Sequence, residues 1–188
     1  MNDMILRNPK GTLQFDPLRL RIHIYPIKGL TEDMLGDTTH SALIACSSRV
    51  SRLAKALFAD NFCAVHFLDT IDQDVEGAIK REHADTIKDF LFNLSEEITD
   101  LYISCDGGDS RSPAIAAAVM RLIGRDERRV WRNPYYTPNI LVYFVLCESF
   151  GVPVMWDDAL EQRQINEESY RLAQILNGDT EFERWEVL

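Results

Sequence analysis

The sequence predicts an α/β domain with a mostly parallel central sheet flanked by helices. Short apolar segments alternate with amphipathic ones along the 188 residues, and 46% of the residues are hydrophobic, which is enough for one substantial core. No internal repeat or low-complexity tract interrupts this alternation. We therefore expect a single domain over 1–188, with an N-terminal arm at 1–17 and a C-terminal helical extension at 152–188.

The strands are predicted from two patterns. Residues 19–26 (RLRIHIYP) alternate polar and apolar side chains, as a half-buried strand does. Three other segments, 40–47, 63–68 and 101–104, are short and almost continuously apolar, which is typical of strands buried on both faces of a parallel sheet.

The helices are predicted from apolar residues at helical spacing. Residues 49–59 and 81–94 each place such residues on one face, and a last helix is expected near 160–177. Two further helices have a polar cap, a proline near the start and a glycine beyond the end. These residues are Ser112, Pro113 and Gly124 for the first helix, and Thr137, Pro138 and Gly151 for the second.

The composition argues against several classes of function. The formal net charge is −10, whereas an extended nucleic-acid-binding face needs clustered Lys and Arg. The sequence shows no apolar run of signal-peptide or membrane-span length, so we expect a cytoplasmic protein with no membrane partner. The cysteines, Cys46, Cys63, Cys105 and Cys147, have no metal-ligand spacing, so we expect reduced thiols, no metal and no cofactor. No pattern indicates an oligomeric state.

The segment CDGGDSRS, residues 105–112, lies between a predicted strand and a predicted helix. Cys105 falls at the carboxyl end of the strand, where the N-terminus of the following helix favours anions. The residues between Cys105 and Arg111 supply about enough backbone to curl once around a phosphate group. They are Asp106, Gly107, Gly108, Asp109 and Ser110. The two glycines permit the left-handed and close-approach conformations that this curl needs.

This pattern indicates nucleophilic chemistry on a phosphate group. The loop amides and the helix end favour a negative sulfur, so the Cys105 thiol should lose its proton easily and act as a nucleophile. Arg111 can bind two phosphoryl oxygens at once, and Ser112 can donate to the sulfur and ease its departure from phosphorus. The alternative for Cys105 is a structural cysteine before a glycine-rich turn.

A second pair with the same spacing, Cys46 and Arg52, provides a control within the chain. It also follows an apolar strand and precedes a helix, but the intervening loop has no glycine and contains the branched Val50. Leu53 stands where a serine follows Arg111. We interpret Cys46 as a core cysteine at the end of a strand.

CDGGDSRS resembles the C-x-x-G-x-x-R-S signature of the cysteine-dependent protein tyrosine phosphatases, including dual-specificity members. Residues 63–146 are similar to compact bacterial and phage tyrosine phosphatases, with an aspartate-bearing loop, an EHA…DF helix and an SRSPAIAAA helix in this order. The resemblance implies metal-free hydrolysis of a phosphate monoester through a phosphocysteine at Cys105. The implied substrate is protein phosphotyrosine or a small phosphoester.

The resemblance also implies that an aspartic acid protonates the leaving oxygen. The loop HFLDTIDQD offers Asp69, Asp72 and Asp74. We favour Asp69, which directly follows the predicted strand, although the other two lie within plausible reach. A solvated acidic loop with no catalytic role is the alternative for each of the three.

Two departures from the family pattern leave a second function open. Ser104 stands where the family usually has a histidine that supports the loop, and Asp109 replaces a usually apolar loop residue. The alternative to an enzyme is therefore a phosphate-binding pseudophosphatase with little turnover. Persulfide or arsenate chemistry is a third possibility, which Arg111 followed by Ser112 disfavours.

Other polar and aromatic residues are expected to have structural roles. His66 and His83 lie on a predicted strand and an amphipathic helix, and the aromatic residues near 131–136 are expected to pack in the core or anchor a helix. Asn139, within a "PN" pair that matches the family, is assigned only a structural role.

Overall fold

A sheet of four parallel strands forms the centre of the protein, in the order β1-β4-β2-β3. The computed structural model describes residues 12–30, 37–48, 50 and 52–177. The strands are β1 (Arg21–Pro26), β2 (Ser41–Cys46), β3 (Phe62–Val65) and β4 (Asp100–Cys105). Helices lie between them along the chain, so the predicted α/β class with a parallel sheet is confirmed.

The helices lie close to the predicted positions. They are α1 (Arg52–Phe58), α2 (Arg81–Asn93), α3 (Arg111–Leu122), α4 (Arg128–Trp131), α5 (Ile140–Phe150) and α6 (Trp156–Asn177), with a 3₁₀ turn at Ile27–Gly29. The turn and the short α4 were not predicted, and α6 begins earlier than expected. Strand β3 was predicted to continue to residue 68, but its pairing with β2 ends where Val65 meets Cys46. Residues 66–68 therefore lead into the loop that carries Asp69.

The predicted N-caps of α3 and α5 are wrong. Helix α3 begins at Arg111 with Ser110 as its N-cap, so Ser112 lies inside the first turn. Helix α5 begins at Ile140, and its N-cap is Asn139 rather than Thr137, because the Asn139 side chain accepts a hydrogen bond from the Val142 amide. Asparagine is as good a cap as threonine, so the sequence offered adjacent candidates. The helices do end before Gly124 and Gly151, each at positive φ as predicted.

Helix α3 is the central helix of the larger core. Nearly all of its residues are buried, because α4, α5 and the strands β1 and β4 pack around it. Its run of alanines, residues 116–118, lets the backbone approach its neighbours closely. Alternate residues of β4, Leu101, Ile103 and Cys105, point into this core. Tyr102 points to the opposite face, where it packs with residues of α1.

The described part of the predicted N-terminal arm is attached to the domain. Phe15 is 2% exposed within the larger core, and the Arg125 guanidinium donates to the carbonyl oxygen of Pro17 at 2.5 Å. The rest of the arm, residues 1–11, and the tail at 178–188 lie outside the described residues. Among the residues that are described, no helix is both long and apolar enough to cross a membrane.

Candidate active site

The loop of residues 106–110 joins Cys105, the last residue of β4, to Arg111, the first residue of α3. It needs a glycine at one position. Gly108 has φ of +78°, and a Cβ there would lie 2.5 Å from the backbone nitrogen of Pro26 in β1. Gly108 takes the left-handed and close-approach conformation that the two glycines were expected to permit, whereas the φ of Gly107 is not positive and a Cβ there would meet the Asp109 carboxylate. The loop turns at Gly108.

The Cys105 sulfur is buried and hydrogen-bonded. Cys105 is 1% exposed. The Gly108 amide donates to Sγ at 3.2 Å, and the hydroxyl oxygen of Ser112 lies 3.1 Å from the same sulfur. The serine therefore faces the sulfur, as expected, although it does not cap the helix.

Arg111 is buried at the start of α3, with 8% of the residue exposed. One terminal nitrogen donates to the carbonyl oxygen of Phe67 at 2.9 Å, and the other donates to the Asp106 carboxylate at 2.7 Å. Nε has no hydrogen-bond partner among the described residues and lies 3.8 Å from Asp69 Oδ2. Burial works against the charged form, but Asp106 and the nearby cysteines and Asp69 keep the pKa of Arg111 raised.

The two aspartates of the loop differ in their surroundings. The Asp106 carboxylate accepts from Arg111 and, at 2.5 Å, from the Ser47 hydroxyl, so it engages a guanidinium nitrogen that a bound phosphate would need. The Asp109 side chain is exposed, while its carbonyl oxygen accepts from the Thr137 amide at 2.7 Å. Asp106 thus faces the cation, and Asp109 ties the loop to the segment before α5.

Of the three candidate acids, the structure brings Asp69 to the loop. Its Oδ1 accepts from the Ser110 hydroxyl and from the Asn139 side-chain amide, both at 2.8 Å. Asp72 and Asp74 are exposed, and the Asp72 carboxylate accepts from the Asp74 amide at 2.9 Å. Asp69, the residue that the sequence analysis favoured as the acid, thus lies beside the loop and 3.8 Å from Arg111 Nε.

Sequence reasoning missed the contacts of three residues that build the site. Asn139 was given only a structural role, but its side-chain amide reaches Asp69 and the Thr70 carbonyl oxygen while its oxygen caps α5. Ser47 holds Asp106, and the Phe67 carbonyl holds Arg111. The sequence could have indicated Asn139, because asparagine is a favoured helix cap. It could not have indicated the Phe67 carbonyl, because every residue has one.

Of the control pair Cys46 and Arg52, only Cys46 lies near the candidate site. Cys46 lies directly opposite Cys105 in the neighbouring strand, is fully buried, and its pKa is raised by burial to about 12. Its sulfur lies 3.9 Å from a terminal nitrogen of Arg111, whereas Arg52 is exposed on α1. Cys46 therefore lines the floor beneath Arg111, as a core cysteine would.

The remaining candidates have structural contacts. His83 accepts a hydrogen bond from the Lys80 amide at 3.0 Å, and His66 is exposed. Trp131 and Tyr136 are buried in the larger core, and Tyr135 packs against it. Over the described residues, no group of three or more His, Cys, Asp or Glu side chains is arranged to hold a metal ion.

Comparison with known proteins shows only distant similarity. No family model and no curated protein matches the chain. Among solved structures, the crystal structure of PTPMT1 in complex with PI(5)P is 13% identical, with a TM-score of 0.41 over 85% of this chain and 97% of that chain. A similarity this low carries no conclusion about function, which has to be argued from the site.

Proposed function

We propose that the protein is a cysteine-dependent phosphatase that hydrolyses a phosphate monoester through a phosphocysteine at Cys105. The observation that supports this most strongly is the buried Arg111, whose Nε lacks a partner among the described residues, beside Asp69 and close to the sulfur. A buried cation with an open donor is costly unless an anion completes its contacts. A phosphoryl group bound over Cys105 supplies such an anion.

In the proposed first step, the Cys105 thiolate forms a bond to phosphorus, and the bond from phosphorus to the leaving oxygen breaks. A protonated Asp69 gives its proton to that oxygen. In the second step water attacks phosphorus, the Asp69 carboxylate takes a proton from the water, and the sulfur leaves as a thiolate. The products are an alcohol or phenol and inorganic phosphate.

The neighbouring groups have distinct proposed roles. The amides of residues 106–110 and the start of α3 bind the phosphoryl oxygens, since these N–H groups lie at the positive end of the helix dipole. Arg111 binds through Nε and one terminal nitrogen, which requires Asp106 to release that nitrogen. Ser112, 3.1 Å from the sulfur, donates to it when the phosphocysteine breaks.

The proposed substrate is an aryl phosphate ester, with protein phosphotyrosine as the physiological form. A cleft of about 200 Å³ opens beside the Ser110 and Asn139 side chains that hold Asp69. Its lining includes apolar side chains of Ile71, Pro138 and Ile140 and the polar Arg163. Apolar walls beside the proposed acid suit an aromatic leaving group. The resemblance of residues 63–146 to tyrosine phosphatases supports the same substrate.

A phosphate-binding pseudophosphatase is the second candidate. Two observations favour it: Asp106 occupies a nitrogen of Arg111, and the buried Ser104 hydroxyl has no hydrogen-bond partner among the described residues. Neither feature prevents an anion from binding to the loop amides. Both features weaken the support that a fast enzyme needs around its nucleophile.

Hydrolysis of p-nitrophenyl phosphate with reductant and chelator tests the proposal. We expect turnover by the wild type that is lost in Cys105→Ser and Arg111→Ala and kept in Cys46→Ser, the matched control at the other strand end. Turnover that survives in Cys105→Ser would refute the proposed nucleophile. Wild-type protein that binds vanadate through Arg111 without turnover would establish the pseudophosphatase.

A further inference from the structure

The loop that carries the proposed acid, residues 66–80, is acidic and contributes Ile71 to the lining of the cleft. Asp72, Asp74 and Glu76 are exposed on it, and Asp109 is exposed on the facing loop. We propose, building on the proposed function, that the substrate is a phosphorylated peptide segment with basic residues flanking the phosphorylated side chain. The mouth of the cleft selects these positive charges.

The lysine of this loop, the arginine of the cleft lining and Arg111 already have acceptor or carboxylate partners. The Lys80 ammonium donates to the carbonyl oxygen of Gln73 at 2.8 Å, within the same loop. Arg163, which lines the cleft, forms an ion pair with Glu167 at 3.0 Å. Arg111 is held by Asp106 and faces Asp69. Carboxylates therefore outnumber cations on this loop and in the cleft lining, so the combined charge of the two is negative.

The exposed carboxylates of Asp72, Asp74, Glu76 and Asp109, which we call the negative rim, lie on the two loops that also hold Asp69 and Asp106 beside Arg111. The open Nε of Arg111, on a side chain more than nine-tenths buried, points to a phosphoryl ligand. A dianion that approaches alone is repelled by the Asp69 and Asp106 carboxylates, 3.8 Å and 2.7 Å from the Arg111 guanidinium, and by the further carboxylates on the same two loops. Lysine or arginine beside the phosphorylated residue reverses that repulsion and also steers the encounter.

Apolar side chains on the same loop favour a peptide over a membrane. Leu68, Ile71 and Val75 are 47%, 52% and 37% exposed. Exposed apolar groups beside carboxylates suit a segment that has both basic and apolar side chains. An anionic bilayer surface would bring the negative rim against lipid phosphates, which repels it.

Binding to Cys105→Ser protein tests this selection without turnover. Two fluorescent phosphotyrosine peptides are compared by anisotropy, one with three lysines or arginines near the phosphotyrosine and one with three glutamates at the same positions. We expect the basic peptide to bind about tenfold more tightly at low salt. We expect this ratio to fall toward one at high salt, because the charges are exposed.

Matched charge changes locate the effect. Asp74→Asn with Glu76→Gln should reduce the ratio several-fold, because these exposed carboxylates belong to the loop that contributes Ile71 to the cleft. Glu96→Gln with Glu97→Gln makes the same change in charge in the exposed segment that precedes β4, at the opposite edge of the sheet, and should leave the ratio unchanged. An equal reduction in both variants would show that only net charge matters and would overturn the proposal.

The remaining outcomes are also decisive. Equal binding of the two peptides, tighter binding of the acidic one, or no binding of either would overturn the basic-peptide selection. Preferential binding to phosphatidylcholine vesicles that contain a phosphoinositide would overturn it in favour of a membrane substrate. Turnover of p-nitrophenyl phosphate is measured separately on the wild type, so a failed selection is distinguished from a failed phosphatase proposal.

Discussion

Asn139 connects a helix cap to the proposed acid through a single side chain. Its oxygen accepts from the Val142 amide at 3.1 Å, and its nitrogen donates to Asp69 Oδ1 at 2.8 Å. The residue is buried, so competition from water is weak and both bonds are kept. Asn139 is therefore a positioning residue: it fixes the carboxyl that is proposed to meet the leaving oxygen.

Replacing Asn139 by serine separates these two roles. Serine retains an acceptor for the helix amide but loses the donor to Asp69. We expect Asn139→Ser to slow hydrolysis of a phenyl or alkyl phosphate about tenfold or more, with a smaller effect on p-nitrophenyl phosphate, whose leaving group needs little protonation. The comparison of kcat for the two esters is the measurement. An equal loss on both esters would show that Asn139 does not act through the acid.

In this structure Asp106 binds the Arg111 nitrogen that the proposed mechanism assigns to phosphate. Its carboxylate holds a terminal nitrogen at 2.7 Å, and a charge-assisted contact of this kind has to break before that nitrogen can bind a phosphoryl oxygen. We expect Asp106→Asn to lower the inhibition constant of inorganic phosphate about threefold to tenfold. Asp109→Asn removes the same charge from an exposed position on the same loop and should have less effect. Weaker phosphate binding in Asp106→Asn would mean that the carboxylate orients Arg111 instead.

At the scale of elements, the loop of residues 106–110 packs against the edge strand β1. Gly108 is the point of contact, with φ of +78° and no room for a Cβ beside Pro26. Alanine there combines backbone strain with a collision against backbone atoms. We expect Gly108→Ala to lower the free energy of unfolding by about 2 kcal/mol or more and to abolish phosphate binding. Urea denaturation with Gly107→Ala as control checks this, since the Asp109 carboxylate can turn away from that Cβ. Equal effects would contradict the structure of the loop.

The other end of the β1–β4 pair is held by a buried carboxylate. Asp100 accepts from Arg21 at 2.6 Å, from Thr99 at 2.8 Å, and lies 2.7 Å from His23 Nε2. Burial opposes the charged form, but the hydrogen bonds from Arg21, His23 and Thr99 prevail and lower the pKa of Asp100. A lowered folded-state pKa stabilises the fold above the ordinary aspartate pKa, and this stabilisation is lost as the pH falls through the folded-state value.

Removing the charge tests this linkage. We expect Asp100→Asn to lower the free energy of unfolding at neutral pH by about 1 to 3 kcal/mol, because Arg21 and His23 lose a charged partner. The difference from the wild type should shrink as the pH falls below the ordinary aspartate pKa of about 4 and through the lower folded-state value. Urea midpoints for both proteins across the acidic range measure it. A difference that stays constant with pH would contradict a role for the charge.

At the scale of the whole molecule, the sequence predicted what is local. Each buried strand of a parallel sheet is a short apolar run, α2 carries its own periodicity, and α3 has a proline near its start and a glycine beyond its end. The elements β2, β4, α2 and α3 could therefore be recognised separately. The candidate site loop was recognisable for the same reason, because its residues are contiguous from Cys105 to Ser112.

Contacts between distant segments could not be read in this way. Asn139 and Asp69 are 70 residues apart, and Ser47 and Asp106 are 59 apart, yet each pair is hydrogen-bonded. Such pairs depend on where the carboxyl ends of parallel strands meet, which is a property of strand order rather than of any one segment. The N-cap predictions failed for a different reason: for each helix, two residues only two positions apart satisfied the same local rule.

Trapping the covalent intermediate tests the account most directly. The Asp69→Ala protein is mixed with p-nitrophenyl phosphate, quenched in acid during turnover, digested and examined by mass spectrometry. The account predicts one phosphoryl group on the peptide that contains Cys105, none on the peptide that contains Cys46, and none in Cys105→Ser. Phosphate release with no phosphorylated cysteine, or with the phosphoryl group on Cys46, would contradict it.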